Sequence, residues 1–183
     1  MLPLHPDRVS MGKPGPPRRS HPGAHMYKSI LLAYDGSREG AMALREGALL
    51  AKTCGAKVVL LSVIPSSTAT TEFGAGVGST LVDHIDGYKE QLKRAVAWMS
   101  ERGFDPIPKL VIGDPAQSIG VVAKEITADL VVVGHGRRNF LSRWWTGSTK
   151  AYLSDHVGCS ILIACNPTSD DAFESASREN TGA

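Results

Sequence analysis

From Lys28 to Ala164 the chain keeps changing its hydrophobic period, passing from short apolar runs to longer segments whose apolar residues recur at helical spacing. The short runs read as strands buried on both faces, and the longer segments as helices with one apolar stripe. Strands are expected at Ser29 to Tyr34, Lys57 to Ile64, Ile107 to Ile112, Leu130 to Val133 and Ser160 to Ala164. Ala41, Leu44, Ala48 and Ala51 mark a helix that ends near Gly55. Leu81, Ile85, Tyr88, Leu92, Ala95 and Met99 line one face of a long amphipathic helix. Ile119, Val122, Ala123 and Ile126 line the next, which starts at the Gly113-Asp114-Pro115 turn, where proline suits the first helical position. A short helix is expected within Lys150 to His156. Regular alternation with right-handed crossovers gives a doubly wound α/β domain on a parallel sheet, over about residues 26 to 165. Ligands of such sheets sit beyond the carboxyl ends of the strands, where the strand order reverses.

A chain of 183 residues, 42% hydrophobic and 21% charged, can bury the core of one such domain and carry tails besides. A net charge of +2 is too small to argue for a nucleic-acid surface, and no apolar stretch is long enough to span a membrane. Residues 1 to 25 hold four Lys/Arg against one Asp and lack apolar periodicity, so a disordered extension is expected there. Arg18-Arg19 is not followed by an apolar run of export-signal length. Residues 166 to 183 hold four Asp/Glu against one Arg and read as a disordered acidic tail. Cys54, Cys159 and Cys165 make no metal spacing and cannot all pair within the chain, which fits a reduced, cytoplasmic setting with the thiols as small apolar residues.

The chemistry gathers at the carboxyl ends of three strands. Gly134-His135-Gly136-Arg137-Arg138 leaves the fourth strand, and Gly147-Ser148-Thr149 opens the helix beyond it. Unpaired amides at a helix start carry partial positive charge, and glycine lets phosphate oxygens approach the main chain. A flexible loop with an ordinary Ser/Thr cap is the alternative. His135 either donates to a phosphate or is simply solvated. Asp35, in the Asp35-Gly36-Ser37 turn after the first strand, can accept from a ribose hydroxyl, assist a bound Mg²⁺ or support a helix cap. Val63, at the end of the second strand, either meets an adenine through its main chain or packs in the core.

Ile30-Leu31-Leu32-Ala33-Tyr34-Asp35-Gly36-Ser37, Gly113-Asp114-Pro115, Ala128-Asp129-Leu130-Val131-Val132-Val133-Gly134 and Gly147-Ser148, in this order, resemble universal stress proteins across essentially the whole folded unit. The resemblance implies a Rossmann-like three-layer α/β domain with a five-stranded parallel sheet, spanning 26 to 165, that commonly forms homodimers. It also implies ATP, with or without Mg²⁺, or a related adenine nucleotide as ligand. Carried onto this chain, Asp35 and Val63 fall at adenosine-contacting positions, and Gly134, Gly147 and Ser148 at loop positions that meet ribose and phosphates. The family's loop is Gly-x-x-Gly, then nine intervening residues, then Gly-Ser/Thr. Here the interior glycine is displaced to Gly136, and Arg137 stands where glycine is expected. Arg137 either obstructs close backbone approach or, with the loop shifted by one residue, adds a charge-assisted bond to phosphate. Family members that bind no nucleotide act through protein partners, so a regulatory partner is expected on either reading.

Trp144-Trp145 can cover an adenine, anchor a partner or pack between helices. Gly74, Gly76 and Gly78 do not directly join a strand to a helix, so they read as part of a connection rather than a dinucleotide fingerprint. No Walker lysine pattern, zinc spacing or nucleophile elbow is present in the sequence, which favours binding over rapid turnover, with a slow ATPase at most.

Overall fold

The computed structural model describes residues 26–66, 78–135, 156–165 and 168–179, with backbone alone for 78–84. Each expected strand is present: β1 (Ser29–Ala33), β2 (Lys57–Pro65), β3 (Ile107–Gly113), β4 (Leu130–Gly134) and β5 (Ser160–Ala164). They form one parallel sheet in the order β3-β2-β1-β4-β5. The described helices are α1 (Arg38–Cys54), α2 (Gly78–Ser100), α3 (Pro115–Glu125) and α4 (Asp170–Glu179). The helix expected within Lys150 to His156 lies outside the described residues except at His156, as does the expected extension at 1 to 25.

Strand alternation divides the core in two. Ile30, Leu32, Leu60 and Val132 face α1 and α2, where they meet Ala43, Leu44, Ala48, Leu92, Ala95 and Met99. Leu31, Val59, Leu61, Val131 and Val133 face the other way, onto Ala116, Ile119, Val122 and Ala123 of α3. This period-two sorting is what a sheet covered on both faces requires. Helix α1 begins at Ser37, whose side chain accepts from the Gly40 amide. It ends in a Schellman motif, in which Ala56 N–H reaches Ala51 O at 2.8 Å and Gly55 N–H reaches Lys52 O at 3.2 Å. Asp114 caps α3 through the Gln117 amide, with Pro115 in the first turn as expected. The Asp129 carboxylate ties the start of β1 to β4, accepting from Lys28 N–H at 2.7 Å and Ser29 N–H at 3.2 Å.

One expectation is overturned. The acidic segment read as a disordered tail over 166 to 183 forms helix α4 across residues 170 to 179. Ser169 Oγ accepts from Ala172 N–H, and Asp170 and Asp171 sit in the first turn, where the helix dipole favours carboxylates. Phe173 is 0% exposed, with its ring 5.0 Å from that of Trp98 and 5.9 Å from that of Phe104. Phe173 is the large apolar side chain buried in this docking, so the segment looks polar in composition while having an apolar anchor.

Candidate functional site

The carboxyl edge of the sheet is stepped. Strand β1 stops at Ala33, opposite Leu61, and one further bond runs from Tyr34 N–H to Leu61 O at 2.8 Å. Strand β2 continues to Pro65 and stays paired with β3 through Ile64 and Pro65. In a parallel ladder the N–H and C=O of one residue point to the same side, and the sides alternate along the strand. Leu61 faces β1, so the main chain of Val63 faces the same way, into the space where β1 has turned off. Its side chain is half-buried against the α3 core. The two readings of Val63 therefore apply to different atoms: the side chain packs while the backbone donor and acceptor face the strand ends.

Asp35 lies in the turn that leaves β1. Its Oδ1 accepts from Ser37 N–H at 2.9 Å and from Ser37 Oγ at 2.5 Å, and Ser37 Oγ in turn accepts from Gly40 N–H at 2.9 Å. One carboxylate oxygen thus supports the cap of α1. The other has no hydrogen bond among the described residues, which leaves it able to accept from a pair of hydroxyls. Asp35 also bears on two phenols. Tyr34 is held above the usual tyrosine range by burial first and then by the Asp35 charge, with Arg94 and Arg45 opposing. Tyr88 is raised by burial and then by Asp35.

Gly134 ends β4 against the first turn of α1. A Cβ placed on it would lie 2.5 Å from Glu39 O and 3.0 Å from Gly40 N. A Cβ on Gly40 would in turn run into the Asp35 carboxylate. This pair of close approaches brings the ends of β1 and β4 together beside the α1 amides. His135 follows, with its N–H on Ala164 O at 3.0 Å and its side chain exposed. Asp35, Val63, Gly134 and His135 therefore share one edge. Gly136, Arg137, Gly147, Ser148 and Thr149 lie outside the described residues.

Sequence reasoning missed Gly40, whose signal was its place three residues after Ser37, where a cap needs an amide. It also missed Gln91, which donates from Nε2 to Asp35 O at 3.4 Å across 56 positions of sequence, a contact that no local pattern announces. Among the described residues, no group of His, Cys, Asp and Glu is arranged to hold a metal ion. Burial, and then Asp129, pushes the Cys159 thiol up, away from a reactive thiolate.

The family model described as the Universal stress protein family matches residues 26–164. A Staphylococcus aureus (strain USA300) protein that carries the universal stress protein name is 30% identical over 144 residues, covering 75% of this chain and 83% of that protein. A universal stress protein solved in complex with cAMP superposes with a TM-score of 0.55 at 22% identity, covering 75% of this chain and 95% of that one. The universal stress protein of Archaeoglobus fulgidus solved in complex with dAMP gives 0.53 at 22% identity, covering 76% and 99%.

Proposed function

This chain belongs to the universal stress protein family, and from that premise we propose that it binds an adenine nucleotide at the stepped carboxyl edge of its sheet and acts as a nucleotide-responsive regulator. The observation that carries the reading is the outward-facing main chain of Val63 beside Asp35. A backbone donor and acceptor suit the edge of an adenine, and a carboxylate oxygen without a partner among the described residues suits ribose hydroxyls. The complexes of relatives with cAMP and dAMP support the choice of base, since both ligands carry adenine, a sugar and one phosphate. On this reading phosphates run toward Gly134 and His135 and onto the loop holding Gly136, Arg137, Gly147, Ser148 and Thr149. ATP, with Mg²⁺ on the phosphates, is the proposed ligand, and the loop's response to it is the signal read by a protein partner.

Calorimetric titration of nucleotide-free protein with ATP, with and without Mg²⁺, tests this directly. Binding is expected, with Asp35→Ala weakening it at least about tenfold. Silence at millimolar ATP sinks the proposal. Arg137→Gly belongs in the same experiment, since tighter binding would mark Arg137 as an obstruction and weaker binding as a phosphate ligand. One observation favours a second reading, a partner module that takes no nucleotide: the packing of Gly134 on α1 accounts for that glycine without any phosphate.

A further inference from the structure

A cavity of about 360 Å³ opens between α1 and α2, within the ordinary size range of small-molecule sites. Tyr34, Arg45, Arg94 and Trp98 form its walls, and the buried Leu44 and Ala95 underlie it. The two guanidinium groups come from different helices, and both act on the Tyr34 phenol. Arg45 also lies over the Trp98 ring, 5.8 Å from its centre. The composition is that of a site for a molecule with an apolar body and an anionic head, because planar guanidinium forks match carboxylates and Leu44, Ala95 and Trp98 supply apolar surface.

One carboxylate already pairs with a wall of this site. Asp170 reaches from α4 to Arg45, at 2.8 Å from Nε and 2.6 Å from Nη2. The Asp170 side chain is 60% exposed, so the pair is screened by water and exchangeable. Arg94 has no carboxylate partner among the described residues.

We propose that the groove between α1 and α2 is a second binding site, for a small amphipathic carboxylate whose apolar body lies against Leu44, Ala95 and the side of Trp98 and whose head is held by Arg45 and Arg94. Asp170 competes for Arg45 from within the chain, so docking of α4 sets the affinity of the site. The groove does not depend on nucleotide binding. It adjoins the strand-end turn through Tyr34, through Gly36 at φ +73°, and through Gln91, whose Nε2 donates to Asp35 O, while the Asp35 carboxylate is not among its walls.

The test is calorimetric titration of the full chain with 2-naphthoate and with its uncharged analogue 2-naphthalenemethanol, each in the absence and presence of saturating ATP. Naphthoate is expected to bind, and the alcohol at least about tenfold more weakly. Arg94→Gln is expected to weaken naphthoate about tenfold without moving the thermal unfolding midpoint, since Arg94 is exposed. Asp170→Asn is expected to tighten naphthoate several-fold by freeing Arg45. The proposal is overturned by no heat at millimolar naphthoate, by equal binding of the alcohol, by indifference to both substitutions, or by displacement of naphthoate by ATP. A chain that fails to bind ATP but still takes naphthoate refutes the nucleotide reading and leaves this one standing.

Discussion

Gly134 shows how one residue can answer to two constraints. Its place at the end of a buried strand marks it in the sequence, but the sequence cannot say whether a ligand or the fold needs the missing side chain. The structure supplies a fold reason, the Glu39 carbonyl 2.5 Å from where a Cβ would lie. Gly134→Ala should therefore destabilise the ligand-free protein by about 1–3 kcal/mol, read as a lower urea midpoint with unchanged slope. Indifference to the substitution would return Gly134 to the ligand alone. Asp35 was legible as a polar residue at a strand end with cap support among its readings, while the use of one oxygen for Ser37 was not, because a carboxylate two residues before a cap can point either way. Tyr34 adds a pH signature. Its folded pKa lies above the ordinary tyrosine value of 10.0, so its share of stability is fully present below pH 10 and is lost as pH rises through the folded pKa. Tyr34→Phe should lose less stability than the parent between neutral pH and pH above 10, in parallel urea titrations.

At the scale of the element, α1 and α4 mark the limits of legibility. Helix α1 had an alanine stripe, a serine start and a glycine stop, and all were readable. Helix α4 offered only one large apolar residue to read, since its docking rests on Phe173 together with polar ties. Arg45 pairs with Asp170, Arg102 reaches Glu174 at 3.4 Å, and Lys52 donates to the Ser177 carbonyl. Arg102, in the turn after α2, also lies 4.4 Å over the Trp98 ring, so one side chain meets both the aromatic cluster and α4. These partners lie far apart in sequence, and only tertiary packing makes the segment helical. Phe173→Ala should cost about 3 kcal/mol, the ordinary loss on emptying a buried phenylalanine site. Ser169→Ala should cost about 1 kcal/mol through the lost cap. Both are measurable by denaturant unfolding, and loss of α4 protection in hydrogen exchange would separate undocking from global unfolding.

For the molecule as a whole, the parallel sheet was legible in the alternation of periods while its strand order was not, and the observed order places the strand ends Asp35, Val63 and Gly134 on one edge. What the order leaves open is the fate of its two edge strands. Strand β3 carries Pro108 and Lys109, residue types that discourage strand addition, although Ile107 and Ile112 are each 57% exposed. Strand β5 reads Ser-Ile-Leu-Ile-Ala with neither charge nor proline, and it leaves Ile163 37% exposed. An edge paired only with β4 among the described residues, and with an apolar face, is the natural place for a second copy, by a two-fold contact in which each β5 meets its counterpart. The homodimer implied by family resemblance is thus proposed to form through β5 rather than β3. Sedimentation velocity should show a dimer for the parent chain. Ile163→Lys should shift it toward monomer while keeping the circular dichroism spectrum, because the side chain is partly exposed in the single subunit and its charge would be buried only at the contact. A charged residue at Ile107 on the opposite edge should leave the dimer intact. A parent chain that remains monomeric as its concentration rises, or a dimer broken by the β3 change and not by the β5 change, removes β5 from this role.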